Sequence, residues 1–365
     1  MTLASVPFVQ LRPAEDAAAV EAAIRRVVDR GWFVLGPELE AFEREFAAAC
    51  GLPYAVGVGT GTDALTLILR ALGIGRGDEV ITTPLSAAYT ALAVLAAGAR
   101  PVFADLDETR LTLDPPAVEA AVSPRTRAIL PVHLYGQAAD LPALSRVADR
   151  HHLALVEDCC QAHLASCGGR PAGTFGVAAA FSFYPTKNLG AFGDGGAIVT
   201  ADRALAERVK RLRNGGQADR YHHVEPGVNS RLDEIQAAIL RARLPWLPAW
   251  TARRRALAAR YRAALADAPV ALPVECDAGH VYHLFVIRSG ARDGLQSHLA
   301  RHGVETLIHY PIPVPRQPAL AGVQPAVCPI ADRVCRDLLS LPLHPAMRDE
   351  DVALVARAVG SFGGA

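Results

Sequence analysis

The chain has 365 residues, half of them hydrophobic, and its 37 basic residues balance 37 acidic ones. That length can bury a full core in one large unit plus a smaller one, and the charge balance leaves no basic excess for a nucleic-acid surface. The opening stretch MTLASVPFVQLRPAED lacks the basic head and apolar run of a secretion signal, and no apolar run reaches bilayer-spanning length. A soluble, cytoplasmic protein is expected, with neither membrane nor nucleic acid as partner.

Taken in chain order, apolar runs predict strands at 54–59 (YAVGVG), 79–82 (EVIT), 101–106 (PVFADL), 128–134 (AILPVHL), 153–158 (LALVED), 179–184 (AAFSFY) and 196–200 (GAIVT). Helix-period segments lie between them at 62–72, 117–122 and 143–152. Strands that are apolar throughout and alternate with helices predict an α/β fold, a mostly parallel central sheet covered by helices. Near Pro245 the texture changes, and residues 249–268 read as one long amphipathic helix followed by a shorter mixed segment. The expected division is a large cofactor-binding domain, 1–245, and a small C-terminal α/β domain, 246–365.

The seven cysteines follow no repeating frame, so a disulfide scaffold is not expected. Residues 158–160 (DCC), with His163 and Cys167 nearby, lack the CxxC spacing of a zinc site and a second ligand pair. Reduced, buried thiols and no metal are the expectation.

In such sheets chemistry gathers at the carboxyl ends of the strands. Three features fall there. The stretch GVGTGTDAL (57–65) runs from a strand through Gly59, Thr60, Gly61 and Thr62 into a helix. Small residues admit an anion to the helix N-terminus, although alone this is equally an ordinary turn capped by Thr62 or Asp63. Asp158 closes an apolar strand, where a carboxylate needs a cation, several donors or a helix to cap. Lys187 follows FSFYPT, a loop position that would usually hold a surface lysine. Together, a phosphate cradle, a buried carboxylate and a lysine match the needs of pyridoxal 5′-phosphate. The helix would hold its phosphate, the carboxylate its pyridine nitrogen, and the lysine its aldehyde carbon as a Schiff base.

The chain resembles the nucleotide-sugar aminotransferases, the DegT-like branch of the fold type I, aspartate aminotransferase-like enzymes. The resemblance runs through GWFVLGPELEAFEREFA (31–47), GTGTDALTLILRALGIGRGDEVIT (59–82), GARPVFADLD (98–107), PVHLYGQAADL (131–141), VEDCCQAH (156–163), FSFYPTKNLGAFGDGGAIVT (181–200), GVNSRLDEIQAAIL (227–240) and TLIHYPIP (306–313). It implies Lys187 as the cofactor lysine and base, Asp158 as partner of the ring nitrogen, and Gln161 near the ring hydroxyl. It also implies Gly61, Thr62 and Ser182 around the phosphate, with Asn229 reaching that phosphate from a second subunit. The implied assembly is therefore a homodimer with shared active sites.

For the substrate side the resemblance implies Tyr221, His222, His223, His309 and Tyr310 around the sugar. Arg220 or Arg231 would receive glutamate or a diphosphate. For each of the two histidines at 222 and 223 an exposed loop position is the plain alternative. Two departures stand out: Ala87 or Ala88 occupies the usual place of a ring-stacking aromatic, leaving Tyr89 as a substitute, and Cys160 stands where alanine is common. The form NSRLDE is similar to that of enzymes aminating C-3 of a nucleotide-linked keto-deoxysugar, often dTDP-linked, with L-glutamate as donor. Amination of a C-4 ketosugar or of an inosose, and a non-catalytic regulatory role, are the competing readings. A dehydratase of the same fold would replace Lys187 with histidine.

Overall fold

The computed structural model describes residues 5–12, 14–323 and 326–363. Seven strands form the central sheet: β1 (Tyr54–Val58), β2 (Glu79–Thr82), β3 (Arg100–Phe103), β4 (Thr126–Leu130), β5 (Ala154–Asp158), β6 (Ala178–Ser182) and β7 (Gly196–Thr200). Their order across the sheet is β1-β7-β6-β5-β4-β2-β3. Only β7 runs antiparallel to its neighbours, β1 and β6. Nearly every residue of these strands is buried, as expected for a sheet with helices on both faces.

The sixth strand ends at Ser182 rather than at 184, and the largest departures from the expected boundaries fall in two other strands. The fourth strand stops at Leu130 because Pro131 has no N–H to give the ladder, and residues 134–136 form a 3-10 turn. The third stops at Phe103, and Leu106–Asp107 pairs instead with Thr112–Leu113. Asp105, in the break, accepts hydrogen bonds from the backbone of Ile330 and Ala331 at the start of a distant helix.

Three helices matter most for the site: α1 (Pro37–Ala49), α2 (Gly61–Ala71) and α3 (Tyr89–Ala96). On α1, Phe42 and Phe46 stand one turn apart and meet Phe181 and Phe183 edge-on, with ring centroids 5.1–5.3 Å apart. Each such pair adds about 1 kcal/mol to the burial itself. This packing fixes the strand that feeds the loop carrying Lys187. Within the loop Lys187 N–H donates to the Tyr184 carbonyl at 2.8 Å. Gly190 closes the turn, since a Cβ there would come within 2.5 Å of the Pro185 oxygen.

A further core gathers Leu257, Tyr261, Phe285, Ile287, Leu339, Leu341, Val355 and Val359. They come from the helices Leu247–Ala264 and Asp349–Gly360 and the antiparallel pair Phe285–Arg288 and Leu338–Leu341. This core belongs to the unit we propose to begin at residue 246, although Val6 also packs into it. The long helix spans Leu247–Ala264, shorter at its end than the amphipathic pattern suggested. No helix of the described residues is long and apolar enough to cross a membrane.

Candidate active site

A cavity of about 640 Å³ opens at the carboxyl ends of the parallel strands. It is lined by Thr60–Thr62 after β1, Ser86, Tyr89 and Thr90 after β2, Asp158, Cys160 and Gln161 at the end of β5, and Ser182, Tyr184 and Lys187 at the end of β6; His283, His309 and Tyr310 close it from beyond residue 246. The cavity thus unites Gly61, Thr62, Tyr89, Asp158, Gln161, Ser182, Lys187, His309 and Tyr310.

At the β1 end, Thr60 is the N-cap of α2, and its hydroxyl accepts from the Asp63 N–H at 3.0 Å. The cap is therefore neither Thr62 nor Asp63, which leaves the first-turn N–H groups of α2 beside the cavity. Gly61 lies so close to the neighbouring loop that a Cβ would meet Cys160 Sγ at 2.7 Å and Ser182 Cβ at 2.9 Å. A side chain here would fill the cradle. Ser230 braces it from behind, accepting from Gly59 N–H at 2.9 Å and donating to Asp63 Oδ2 at 2.7 Å.

Asp158 is 4 % exposed and caps no helix. Its Oδ2 accepts from the Thr90 hydroxyl at 2.8 Å and its Oδ1 from Cys160 N–H at 3.1 Å. Gln161 is held at both ends: its oxygen accepts from Tyr135 N–H at 2.8 Å and its amide donates to Tyr310 Oη at 3.1 Å. Burial pushes the Tyr310 hydroxyl up to about 12, so it stays protonated.

Lys187 is partly buried, lines the cavity, and its Nζ has no hydrogen bond or ion pair among the described residues. Burial lowers its pKa from the usual lysine value, and nearby Cys160 and Asp158 oppose that shift. The Cys160 thiol is raised well above its ordinary value, by burial and then by Asp158, so it is a neutral wall of the cavity. His309 is lowered to about 4 by burial and then by Lys187, and its Nδ1 lies 2.9 Å from Ser340 Oγ.

Directly behind Asp158, Glu157 points to the opposite face of the strand. Glu157, His133 and Cys159 place their donor atoms within 4.8 Å of one another. The polar groups of this trio already serve the fold. His133 Nδ1 accepts from Ala139 N–H, and Nε2 therefore donates to Glu157 at 3.0 Å. Glu157 also accepts from the N–H groups of Gly173, Phe175 and Gly176.

Six of the sequence-predicted residues lie away from the cavity. Tyr221, 79 % exposed, follows Arg220 and precedes His222 and His223 on a hairpin facing solvent. The Arg220 guanidinium lies 5.1 Å from the Tyr221 ring centre. Arg231 donates to Asn214 at 3.2 Å, and Asn229 bridges to Asn214 through the backbone. Conversely, Ser86, Thr90, Tyr184, Asp194 and His283 line the cavity without having been singled out in the sequence. Thr90 lies in the first turn of α3 and His283 in the turn before the strand Phe285–Arg288, and neither position carries a local sequence signal.

The donor set suits a planar, phosphorylated pyridine. It offers a helix N-terminus with a glycine cradle for the anion, a buried carboxylate and an unpartnered amine. A model of the DegT/DnrJ/EryC1/StrS aminotransferase family matches residues 14–360. The dTDP-3-amino-3,4,6-trideoxy-alpha-D-glucose transaminase of Streptomyces venezuelae is 52% identical over 360 residues, covering 97% of this chain and 95% of that protein. The crystal structure of S. venezuelae DesV in complex with a ketimine intermediate superposes with a TM-score of 0.95 at 52% identity, covering 97% of each chain. That of NtdA from Bacillus subtilis with bound cofactor PMP gives 0.90 at 31%, covering 97% of this chain and 84% of the other. The chain is a pyridoxal-phosphate-dependent aminotransferase of fold type I and belongs to the DegT/DnrJ/EryC1/StrS aminotransferase family.

Proposed function

We propose that the protein moves the amino group of L-glutamate onto C-3 of a nucleotide-linked keto-deoxysugar, with dTDP as the nucleotide, in the cytoplasm and as a homodimer. The substrate reading is supported by the 52% identity to a transaminase named for such a 3-amino sugar. The observation that carries the site reading is the Lys187 amine, which has no partner among the described residues and lies in the cavity that Asp158 also lines.

Bound pyridoxal phosphate supplies an electron sink and a carbon that carries the amino group between the two substrates. The protein supplies the rest. Lys187 would anchor the cofactor covalently, and its Nζ, released when the glutamate amine takes its place, would take the Cα proton of glutamate. Burial, which lowers its pKa, enlarges the fraction of free amine able to do so. Asp158 pairs with the ring nitrogen, and its hydrogen bonds from the Thr90 hydroxyl and the Cys160 N–H keep the carboxylate aimed. Gly61, Thr62 and Ser182 receive the phosphate, and Gln161, fixed by Tyr135 and Tyr310, lies by the ring hydroxyl.

Tyr89, 64 % exposed at the mouth, covers the ring in place of the aromatic missing at Ala87. His309 and Tyr310 face the sugar. A second copy contributes Asn229 to the phosphate and Tyr221, His222 and His223 to the sugar, with Arg220 or Arg231 taking a carboxylate or diphosphate.

The test is a mass-spectrometric screen of nucleotide ketosugars with glutamate as donor. A 3-amino product from a dTDP-linked 3-ketosugar, with 2-oxoglutarate formed in equal amount, is expected. Turnover only of a 4-ketosugar or of an inosose would overturn the substrate assignment.

A further inference from the structure

His283 lines the same cavity as Lys187, yet it comes from the turn before the strand Phe285–Arg288. Its Nδ1 lies 3.1 Å from Oδ1 of Asn188, the residue next to Lys187 in the chain. The Asn188 amide is oriented independently, because its Nδ2 donates to the Val281 carbonyl at 3.3 Å. The atom it offers His283 is therefore an oxygen, which only accepts, so Nδ1 of His283 carries the hydrogen. In a neutral ring that leaves a lone pair on Nε2.

The ring is held neutral. Burial lowers its pKa well below the usual histidine value, and Lys187, Arg254, His309 and His163 act in the same direction. Arg254 Nη1 also donates to the His283 carbonyl at 3.2 Å. Nε2 has no partner among the described residues, unlike the nitrogens of His133, and it is not sealed from the cavity. Lys187 Nζ likewise has no acceptor. One cavity thus holds a donor without an acceptor and an acceptor without a donor, tied to consecutive residues of a single loop.

We infer that Nε2 of His283, unpartnered in the conformation described, accepts a hydrogen bond from the Lys187 amine when the flexible lysine stem, free of the cofactor, turns toward it, which makes His283 a positioning residue for the base. The inference rests on the proposed role of Lys187. A lysine released from its covalent link has a flexible four-carbon stem. A fixed neutral acceptor keeps it beside the reacting carbon without adding charge. Asn188 sets the tautomer, so the loop that carries the base also orients its support.

A neutral acceptor favours the ammonium form of Lys187, so its loss should lower the lysine pKa. The test is made on the cofactor-free full-length protein. Trinitrobenzenesulfonate is used as the amine-directed probe, and labelling of the Lys187 peptide is followed by mass spectrometry from roughly pH 6 to pH 10, a range spanning a lysine shifted down by burial. His283→Leu should move the midpoint of Lys187 labelling down by about one pH unit, the size expected from one lost hydrogen bond to a charged group. His283→Gln, which can present an amide oxygen in the same place, should restore it to within a few tenths of a unit, by the same reasoning. If the leucine variant does not fold, His283→Phe keeps the ring shape and removes the acceptor, and it should show the same downward shift. An unchanged midpoint in a folded leucine or phenylalanine variant overturns the inference. The role of Lys187 fails separately, if borohydride reduction of the loaded protein labels another lysine whatever the His283 variants do.

Discussion

Asp158 is 4 % exposed and both its oxygens have protein partners, whereas Tyr221 is 79 % exposed and touches little beyond its neighbour Arg220. The first region is finished within one chain: strand ends, the capped α2 terminus and the Phe42–Phe46–Phe183 packing hold its groups before any ligand arrives. The second is not finished. The hairpin and the Asn229 segment lie outside the cavity, and Trp32, Phe33, Tyr184 and Phe192 are each more than 40 % exposed. On our proposal a second copy covers these open side chains. The contrast separates a cofactor half that pre-organised backbone and buried charge can build alone from a substrate half that, on our proposal, requires a second copy.

The largest effect expected comes from breaking the finished half. Lys187→Ala should abolish 2-oxoglutarate formation from glutamate while leaving the circular dichroism spectrum unchanged, since a loop side chain contributes little packing. Asp158→Asn should retain the fold and lose about 3 kcal/mol of transition-state stabilisation, roughly a hundredfold or more in rate. A near-wild-type rate would reduce Asp158 to a hydrogen-bond partner of Thr90.

The unfinished half is tested by complementation. Lys187→Ala chains and Asn229→Asp chains should each be inactive, the second because its carboxylate repels the phosphate. Co-refolded, half the dimers are mixed and each has one intact site, so up to roughly a quarter of the activity should return. Mixed dimers that stay inactive would make Asn229 a structural residue of its own chain.

The smallest effect concerns stability. Burial lowers His163 to about 3 and His309 to about 4, and it lowers His283 well below its ordinary value. The unfolded chain binds protons at these residues from about pH 6.5 downward, whereas the folded one does not. Stability from these groups is therefore complete above about pH 6.5 and is lost progressively toward about pH 4. Urea midpoints should fall steadily across that window. His163→Phe should flatten the slope, and a midpoint that rises on acidification would contradict the assignment.

What could be read from the sequence follows the same division. The seven strands are continuous apolar runs, so their places were legible, and the largest shifts of their ends came at proline 131 and at the Asp105 break. Asp158 and Lys187 stood out because a charge at the end of an apolar strand demands a reason. Thr90, Ser86 and His283 did not stand out. Ser86 and His283 sit in loops and Thr90 in the first turn of a short helix, none with a local pattern that points to chemistry, and only the tertiary fold brings them to the cavity. Thr60 was passed over as the cap because the neighbouring threonine and aspartate satisfy the same local pattern.

The central claim is that this cavity carries its cofactor on Lys187. Sodium borohydride reduction of the cofactor-loaded protein, followed by proteolysis and peptide mass mapping, tests it directly. The account predicts a single pyridoxyl-phosphate adduct on Lys187 within FSFYPTKNLG. An adduct on Lys210, or a loaded protein that gives no adduct at Lys187, would contradict it.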